Sequence, residues 1–258
     1  MTLAHDRAGR GAPLVLLHPL GADRRVWRPV LPRLTARRDV LCVDLPGFGA
    51  SPPLQDEHPD PQALARAVRG LLRRLRLDGG RAHVAGNSLG GWVALELALA
   101  GDAASVTAIA PAGLWAEPLR PKPELARRMA RALRPALGPL LARERGRRLA
   151  LAGTVAHPGR VPAEDAAALV GAYADAPGFT AVNRAMRAGT FTGLRDIRVP
   201  VTLAWPQHDR LVAPLSDRPA GVRQVALPGC GHVPMWDAPD AVAEVLLTGS
   251  EHRARIAA

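Results

Sequence analysis

The feature that most constrains this chain is an alternation. Short apolar runs rich in valine and leucine recur along it, separated by segments with helical spacing. The runs are Pro13-Leu-Val-Leu-Leu17, Val40-Leu-Cys-Val-Asp44, Ala82-His-Val-Ala85, Ser105-Val-Thr-Ala-Ile-Ala110, Val201-Thr-Leu-Ala204 and Val222-Arg-Gln-Val-Ala226. A strand that is apolar on both sides is buried on both faces, the condition of a central strand in a parallel sheet. Between the runs, Pro61–Leu77 carries Leu64, Val68, Leu71, Leu72 and Leu75 on one stripe with arginines opposite. Ser88–Ala100 is almost wholly apolar and predicts a buried helix. Alternation of this kind implies the α/β class, a doubly wound, mostly parallel sheet.

The rhythm breaks once. From Leu114 to Ile197 no strand pattern occurs, and helical patterns run over Pro123–Arg134, Pro139–Leu151, Pro162–Ala174 and Phe179–Gly189. The chain therefore divides into a core, residues 1–113 and 198–258, and a helical lid inserted between two strands, residues 114–197. The apolar faces of the insertion need burial, and the expected surface is the carboxyl edge of the sheet, where open α/β folds bind ligands. Few residues precede Pro13, so an opening hairpin is shortened or missing. The tail Gly249–Ala258 is expected to fray.

Gly86-Asn-Ser-Leu-Gly90 sits between a strand run and a helix, the context that G-x-S-x-G requires. A sharp strand-to-helix turn holds its serine in a strained conformation, and the residues two positions away must be small for the chains to approach. Ser88 is thus the candidate nucleophile. A serine hydroxyl needs a base, and in such a turn the triad follows the order Ser, Asp or Glu, His. His232 lies in the glycine-rich loop Pro228-Gly-Cys-Gly-His232, directly after the last strand run. Asp209 stands a few residues past Val201–Ala204 and is the candidate acid that orients the imidazole. An aspartate there would also suit a helix N-cap, and Asp217 is the fallback. For the developing oxyanion, one donor is the Leu89 N–H at the helix start. The second belongs to the loop after the first strand run, where Pro19 has no N–H and Leu20 is the candidate. Trp115, Trp92, Met186, Met235 and Val233 are candidates to line the substrate pocket.

The formal net charge of +11 raises nucleic-acid binding as a class. However, the basic residues are nearly all arginines distributed along helices, and aromatics are 3% of the chain, so no stacking platform for bases is visible. No apolar run is long enough to span a membrane. The N-terminus lacks a charged start followed by an apolar stretch, which points to the cytoplasm. Cys42 and Cys230 read as buried thiols rather than a disulfide framework. No ligand spacing implies a metal, and no phosphate loop implies an organic cofactor. The expected partner is a small-molecule substrate; the oligomeric state is not encoded legibly.

The segments His18-Pro-Leu-Gly21, Asp44-Leu-Pro-Gly-Phe-Gly-Ala-Ser51, Gly86-Asn-Ser-Leu-Gly-Gly91 and Gly231-His-Val-Pro-Met-Trp-Asp-Ala-Pro239 together resemble the α/β-hydrolase fold family, in its lidded esterase-like branch. Pro200–Pro214 is similar to that family's acid-bearing strand and loop. The resemblance implies a serine hydrolase acting on a small ester, lactone or thioester through an acyl-enzyme. It implies a structural role for Asp44. The stretch Leu20–Trp27 resembles the corresponding loop of enol-lactonases, whereas the nucleophile segment running into Ala110-Pro-Ala-Gly-Leu-Trp115 resembles C–C bond hydrolases of ring-cleavage pathways. A non-hydrolytic or C–C bond-cleaving enzyme, such as a lyase or perhydrolase, is therefore the alternative. One departure is His18-Pro19, where the family usually has His-Gly.

Overall fold

The computed structural model describes residues 2–55, 58–120, 124–217 and 219–251. A seven-stranded sheet runs through it in the order β1-β3-β2-β4-β5-β6-β7. Its strands are β1 (His5–Gly9), β2 (Ala12–Leu17), β3 (Arg38–Val43), β4 (His83–Asn87), β5 (Ser105–Ile109), β6 (Val201–Pro206) and β7 (Val222–Leu227). All neighbours are parallel except β1 and β3. The helices are α1 (Leu31–Thr35), α2 (Pro61–Arg74), α3 (Leu89–Leu99), α4 (Leu125–Ala132), α5 (Leu137–Ala142), α6 (Glu144–Ala150), α7 (Ala163–Asp175), α8 (Phe179–Ala188) and α9 (Pro239–Gly249).

Side chains alternate across the sheet and feed two cores. Val15, Leu17, Leu41, Val43 and Val84 pack with α2 and α3. Leu14, Leu16, Val40, Ala85 and Ile109 pack with α9 and with Leu34 of α1. Burial is most complete in α3, where Leu89, Trp92, Val93, Leu95 and Leu97 are at most 1% exposed. Each such side chain contributes about 1.5–3 kcal/mol relative to exposure. Helix α2 begins on Asp60, whose side chain accepts from the Ala63 N–H at 2.7 Å, with Pro61 at the first helical position.

Strand β1 is the shortened opening of the sheet. Its sequence His5-Asp-Arg-Ala-Gly9 has no apolar pattern because it is an exposed edge, held by its ladder to β3 and by Arg7 on Asp39 at 2.5 Å. Gly9 (φ +91°) lets the chain turn against β3; a Cβ there would stand 2.2 Å from the Arg38 carbonyl oxygen. Of the tail expected to fray, Gly249 closes α9, and residues 252–258 lie outside the described residues.

Helices α4 to α8 lie between β5 and β6. The pattern over Pro123–Arg134 becomes α4 and a 3-10 turn, with Pro123 itself outside the described residues. The pattern over Pro139–Leu151 is broken into α5 and α6 at the extended residue Arg143. The break brings the two helices so close that a Cβ at Gly146 would lie 2.0 Å from the Leu140 carbonyl oxygen. A small core of Leu137, Leu141, Leu151, Val161 and Val170 holds this segment together.

The insertion meets the rest of the chain on the loops that follow the carboxyl ends of the strands. Added Cβ atoms would meet Tyr173 at Gly21 after β2, Gly178 at Gly47 after β3 and Thr154–Ala156 at Gly231 after β7, all at 3.0 Å or less. Backbone bonds join Gly178 to Gly47 (2.9 Å), Phe191 to Gly113 (2.7 Å) and Val233 to Thr154 (2.8 Å). One expectation needs correction: the insertion does not bury all its apolar faces. The whole of α4 is without a buried residue, and its Leu125 and Met129 are more than half exposed.

Candidate active site

The site begins with the turn between β4 and α3. Ser88 has φ 54° and ψ −116°, a region that L residues rarely occupy and that costs roughly 1–3 kcal/mol. Its N–H donates to Ile109 O (2.9 Å), and its carbonyl accepts from Trp92 N and Ala112 N, each at 3.0 Å. The strain is thus fixed by neighbouring elements. Glycine is obligatory on either side: a Cβ at Gly86 would stand 2.1 Å from Gly90 O, and one at Gly90 would stand 2.1 Å from Leu17 O.

Asp209 and His232 come from the connections after β6 and β7. Their side chains meet, with Nδ1 of His232 2.7 Å from Oδ2 of Asp209; that of Asp209 is 2% exposed and that of His232 6%. Asp209 also accepts from Leu211 N (2.7 Å) and Val212 N (3.1 Å). Burial pushes its pKa up, but the hydrogen bond and charge of His232 and the two N–H donors outweigh burial, and the carboxyl is held below its ordinary value. The fallback acid, Asp217, is exposed and makes no contact with His232; its backbone carbonyl accepts from Gln224. His208 is exposed, and its backbone N–H donates to Cys230 O.

A residue that sequence reasoning passed over joins the two halves of the site. Asn87, fully buried beside Ser88, donates through Nδ2 to Ile109 O (3.1 Å) and to His232 O (3.0 Å). It clamps the histidine loop to the end of β4. It occupies the variable position of G-x-S-x-G, so the motif itself carried no signal for it. Its Oδ1 has no partner among the described residues. Asp237 is the second such residue. Its carboxylate accepts from Gly231 N (2.9 Å), Ala156 N (2.9 Å) and His157 N (2.8 Å), tying the histidine loop to the insertion.

The loop after β2 is organised by His18. It is fully buried, lies edge-on to Phe48, and has Nδ1 2.8 Å from Pro19 O while Nε2 accepts from Leu45 N at 2.9 Å. Burial lowers its pKa despite the Pro19 hydrogen bond and nearby carboxylates, so it is a neutral spacer that donates from Nδ1. The next N–H, that of Leu20, has no acceptor among the described residues, and neither does that of Leu89 at the first turn of α3. Asp44 is fully buried and accepts from Arg24 N (2.7 Å), the Arg24 guanidinium and Ala50 N (2.9 Å), a structural role.

The pocket candidates are less exposed than a free wall would be. Met186 is 7% exposed and belongs to the core that contains Trp92 and Phe191. Trp115 is half-buried edge-on to Trp92, and its Nε1 donates to Gly189 O at 2.8 Å. Val233 is half-buried against the α9 core. Trp92 and Met235 are fully buried core. A cleft of about 390 Å³ does open between the core and the insertion, lined by Arg24, Arg25, Gly49, Arg134 and Asp175 among others, but Ser88 is not on its wall. Burial pushes the thiols of Cys42 and Cys230 up to about 12 and about 11, so both stay protonated at neutral pH. No cluster of three or more potential metal ligands occurs among the described residues, and no described helix is long and apolar enough to cross a membrane.

A doubly wound sheet with a strained serine at the β4–α3 turn defines the α/β-hydrolase fold. The model of the alpha/beta hydrolase family matches residues 14–245, and the chain belongs to that family. Among relatives, an epoxide hydrolase, EphH, of Mycobacterium tuberculosis is 34% identical over 180 residues, covering 64% of this chain and 83% of that protein. The pimeloyl-[acyl-carrier protein] methyl ester esterase of Legionella pneumophila (strain Paris) is 38% identical over 86 residues. That match covers 30% of this chain and 36% of the esterase's own length. Among solved structures, a thermophilic esterase from Thermogutta terrifontis superposes with a TM-score of 0.74 at 22% identity, covering 96% of this chain and 93% of that one. The enol-lactonase from Burkholderia xenovorans LB400 gives 0.72 at 24% identity, covering 97% and 96%. At these identities the two structures speak for the fold alone.

Proposed function

We propose that the protein is a serine hydrolase that cleaves a small-molecule carboxylic ester, lactone or thioester through an acyl-enzyme. The observation that carries this reading is the 2.7 Å contact of His232 Nδ1 with the buried Asp209, on a loop that Asn87 clamps beside the strained Ser88. Ionised Asp209 accepts a hydrogen bond from Nδ1–H, so Nε2 carries the free lone pair. In acylation Nε2 takes the Ser88 Oγ proton as Oγ attacks the carbonyl carbon. Leu89 N–H and Leu20 N–H receive the oxyanion, a role supported by their lack of other acceptors. Collapse breaks the bond to the leaving group, which departs with the proton from Nε2. Water, deprotonated by the same nitrogen, then attacks the acyl carbon and releases the acid and Ser88. Trp115, Met186 and Val233 shape the acyl side, and residues 114–197 act as a lid over the core formed by residues 1–113 and 198–258. Support for that placement is the set of contacts the insertion makes with the loops after β2, β3, β5 and β7.

The test is a fluorophosphonate probe followed by a panel of p-nitrophenyl esters, lactones, acyl thioesters and ring-cleavage C–C substrates. Probe uptake that disappears in Ser88→Ala, with turnover of an oxygen or thiol ester, supports the reading. Uptake unchanged in Ser88→Ala, or turnover confined to C–C substrates, overturns it.

A further inference from the structure

Helix α4 is mounted inside out. Its only inward charged side chain is Arg127, which donates to Ala176 O (2.6 Å) and Tyr173 O (3.2 Å) and lies over the Phe179 ring at 5.2 Å. Its long apolar side chains point the other way. Leu125 and Met129, followed by Leu133 at the helix end, are 63%, 55% and 45% exposed. Spaced four apart, they form one ridge along the helix. Of seven large hydrophobic residues exposed among the described residues, five lie in the insertion: these three, Leu140 and Leu149. Cationic charge is concentrated there too. Residues 114–197 hold thirteen arginines and Lys122 against seven acidic residues. Arg128 and Arg131, three residues apart, lie on one side of the ridge, are exposed, and have no carboxylate partner among the described residues.

We propose that α4 is a docking face for an anionic lipid surface, on which it lies in the plane of the headgroups with the Leu125–Met129–Leu133 ridge inserted and Arg128 and Arg131 on lipid phosphates. An amphipathic cationic helix of this pattern binds bilayers by apolar burial and by charge together. Three observations select this occupant. A second copy of the chain would bring like charge against like charge. An acidic protein would satisfy the arginines but would need a groove to receive a convex ridge, whereas a bilayer deforms around it. And residues 114–197, with fourteen basic against seven acidic side chains, complement the negative charge of anionic headgroups.

The proposal concerns binding and is read without turnover. Full-length protein is floated with vesicles of phosphatidylglycerol and phosphatidylcholine, and with phosphatidylcholine alone. Expected is flotation with the anionic vesicles only, lost at about 0.5 M salt as screening shortens the electrostatic range. The ridge variant Leu125→Ser/Met129→Ser/Leu133→Ser should weaken partitioning by more than about 30-fold. Arg128→Gln/Arg131→Gln should weaken it by roughly 10–30-fold. Both variants should keep a wild-type melting temperature. The proposal is overturned if wild type ignores anionic vesicles, or if the ridge variant floats as well as wild type. It is equally overturned if the ridge instead supports a concentration-dependent dimer in light scattering or captures purified acyl-carrier protein in preference to vesicles.

Discussion

In α3 every residue from Leu89 to Leu95 is buried, whereas in α4 none is. The first helix carries the candidate nucleophile at its head and is fixed by the sheet; the second is held by Arg127 and by Ala130 against a small core, and offers its apolar ridge to the outside. The contrast extends to the segments around them. The site in the core rests on backbone constraints that tolerate no added atom at Gly86 or Gly90. The insertion touches that site through a few bonds to loops, of which the two from Asp237 to Ala156 and His157 are the most concentrated. The candidate site thus sits in the closely packed half, and the exposed apolar ridge in the other.

The sharpest way to break the comparison is to disarm the core without disturbing it. Ser88→Ala should lower kcat by roughly 10⁴–10⁶-fold with the melting curve preserved. Asp209→Asn should cost on the order of 10⁴-fold, because an amide favours the wrong imidazole tautomer, while exposed Asp217→Asn should leave kcat near wild type. Steady-state kinetics on one ester decides the order; a larger loss in Asp217→Asn would give that residue the acid's role.

Next comes the seam between the halves. Asp237→Ala leaves three backbone N–H groups without their carboxylate, on Gly231 beside His232 and on Ala156 and His157 of the insertion. Each charge-assisted bond is worth about 1.5–3 kcal/mol, and water replaces part of that in the half-buried setting. The expected result is a destabilisation of about 2–4 kcal/mol with a drop in kcat. Urea unfolding and kinetics on the same preparation check it; a fall in kcat without loss of stability would separate the seam from the fold.

Much of the core was legible because its residues answer to steric rules. The apolar runs became β2 to β7, and the G-x-S-x-G turn lies where strand and helix meet. Strand β1 escaped because an exposed edge has no reason to be apolar. Asn87 escaped because its partners are the carbonyls of Ile109 and His232, and carbonyl positions are not written in side-chain identity. In the insertion, helical spacing located α7 and α8 well but assigned α4 the wrong facing, since spacing tells which residues share a stripe and not which way the stripe points. The arginines are distributed along the chain as they read, thirteen of 33 falling in that same insertion; net positive charge gathers there because only seven acidic residues offset them.

A subtler effect should come from pH. The pKa of Asp209 is lower in the folded chain than the ordinary 3.8. A depressed carboxyl stabilises the fold above its unfolded pKa, and that stability is lost as pH falls through the folded value. Melting temperatures on the acid side should therefore fall less steeply for Asp209→Asn than for wild type. Parallel slopes would mean that the Asp209–His232 contact contributes nothing to folding.

The smallest effect expected is also the one that tests the comparison most directly. Leu95 of α3 is fully buried, so Leu95→Ala removes apolar burial and leaves a cavity, at a cost of about 2–5 kcal/mol. Leu125 of α4 is 63% exposed, and Met129 is 55% exposed. Truncating either to alanine removes little buried surface, keeps a good helix former in place, and should change stability by less than about 0.5 kcal/mol. Arg127→Ala on the same helix should cost more than either, since it strips partners from the carbonyls of Tyr173 and Ala176 and uncovers the Phe179 ring. That inverted order, with an arginine mattering more than a leucine within one helix, is the thermodynamic signature of a helix facing outward. Were Leu125→Ala to cost as much as Leu95→Ala, the ridge would be packed in solution, and α4 would have to face the core as α3 does.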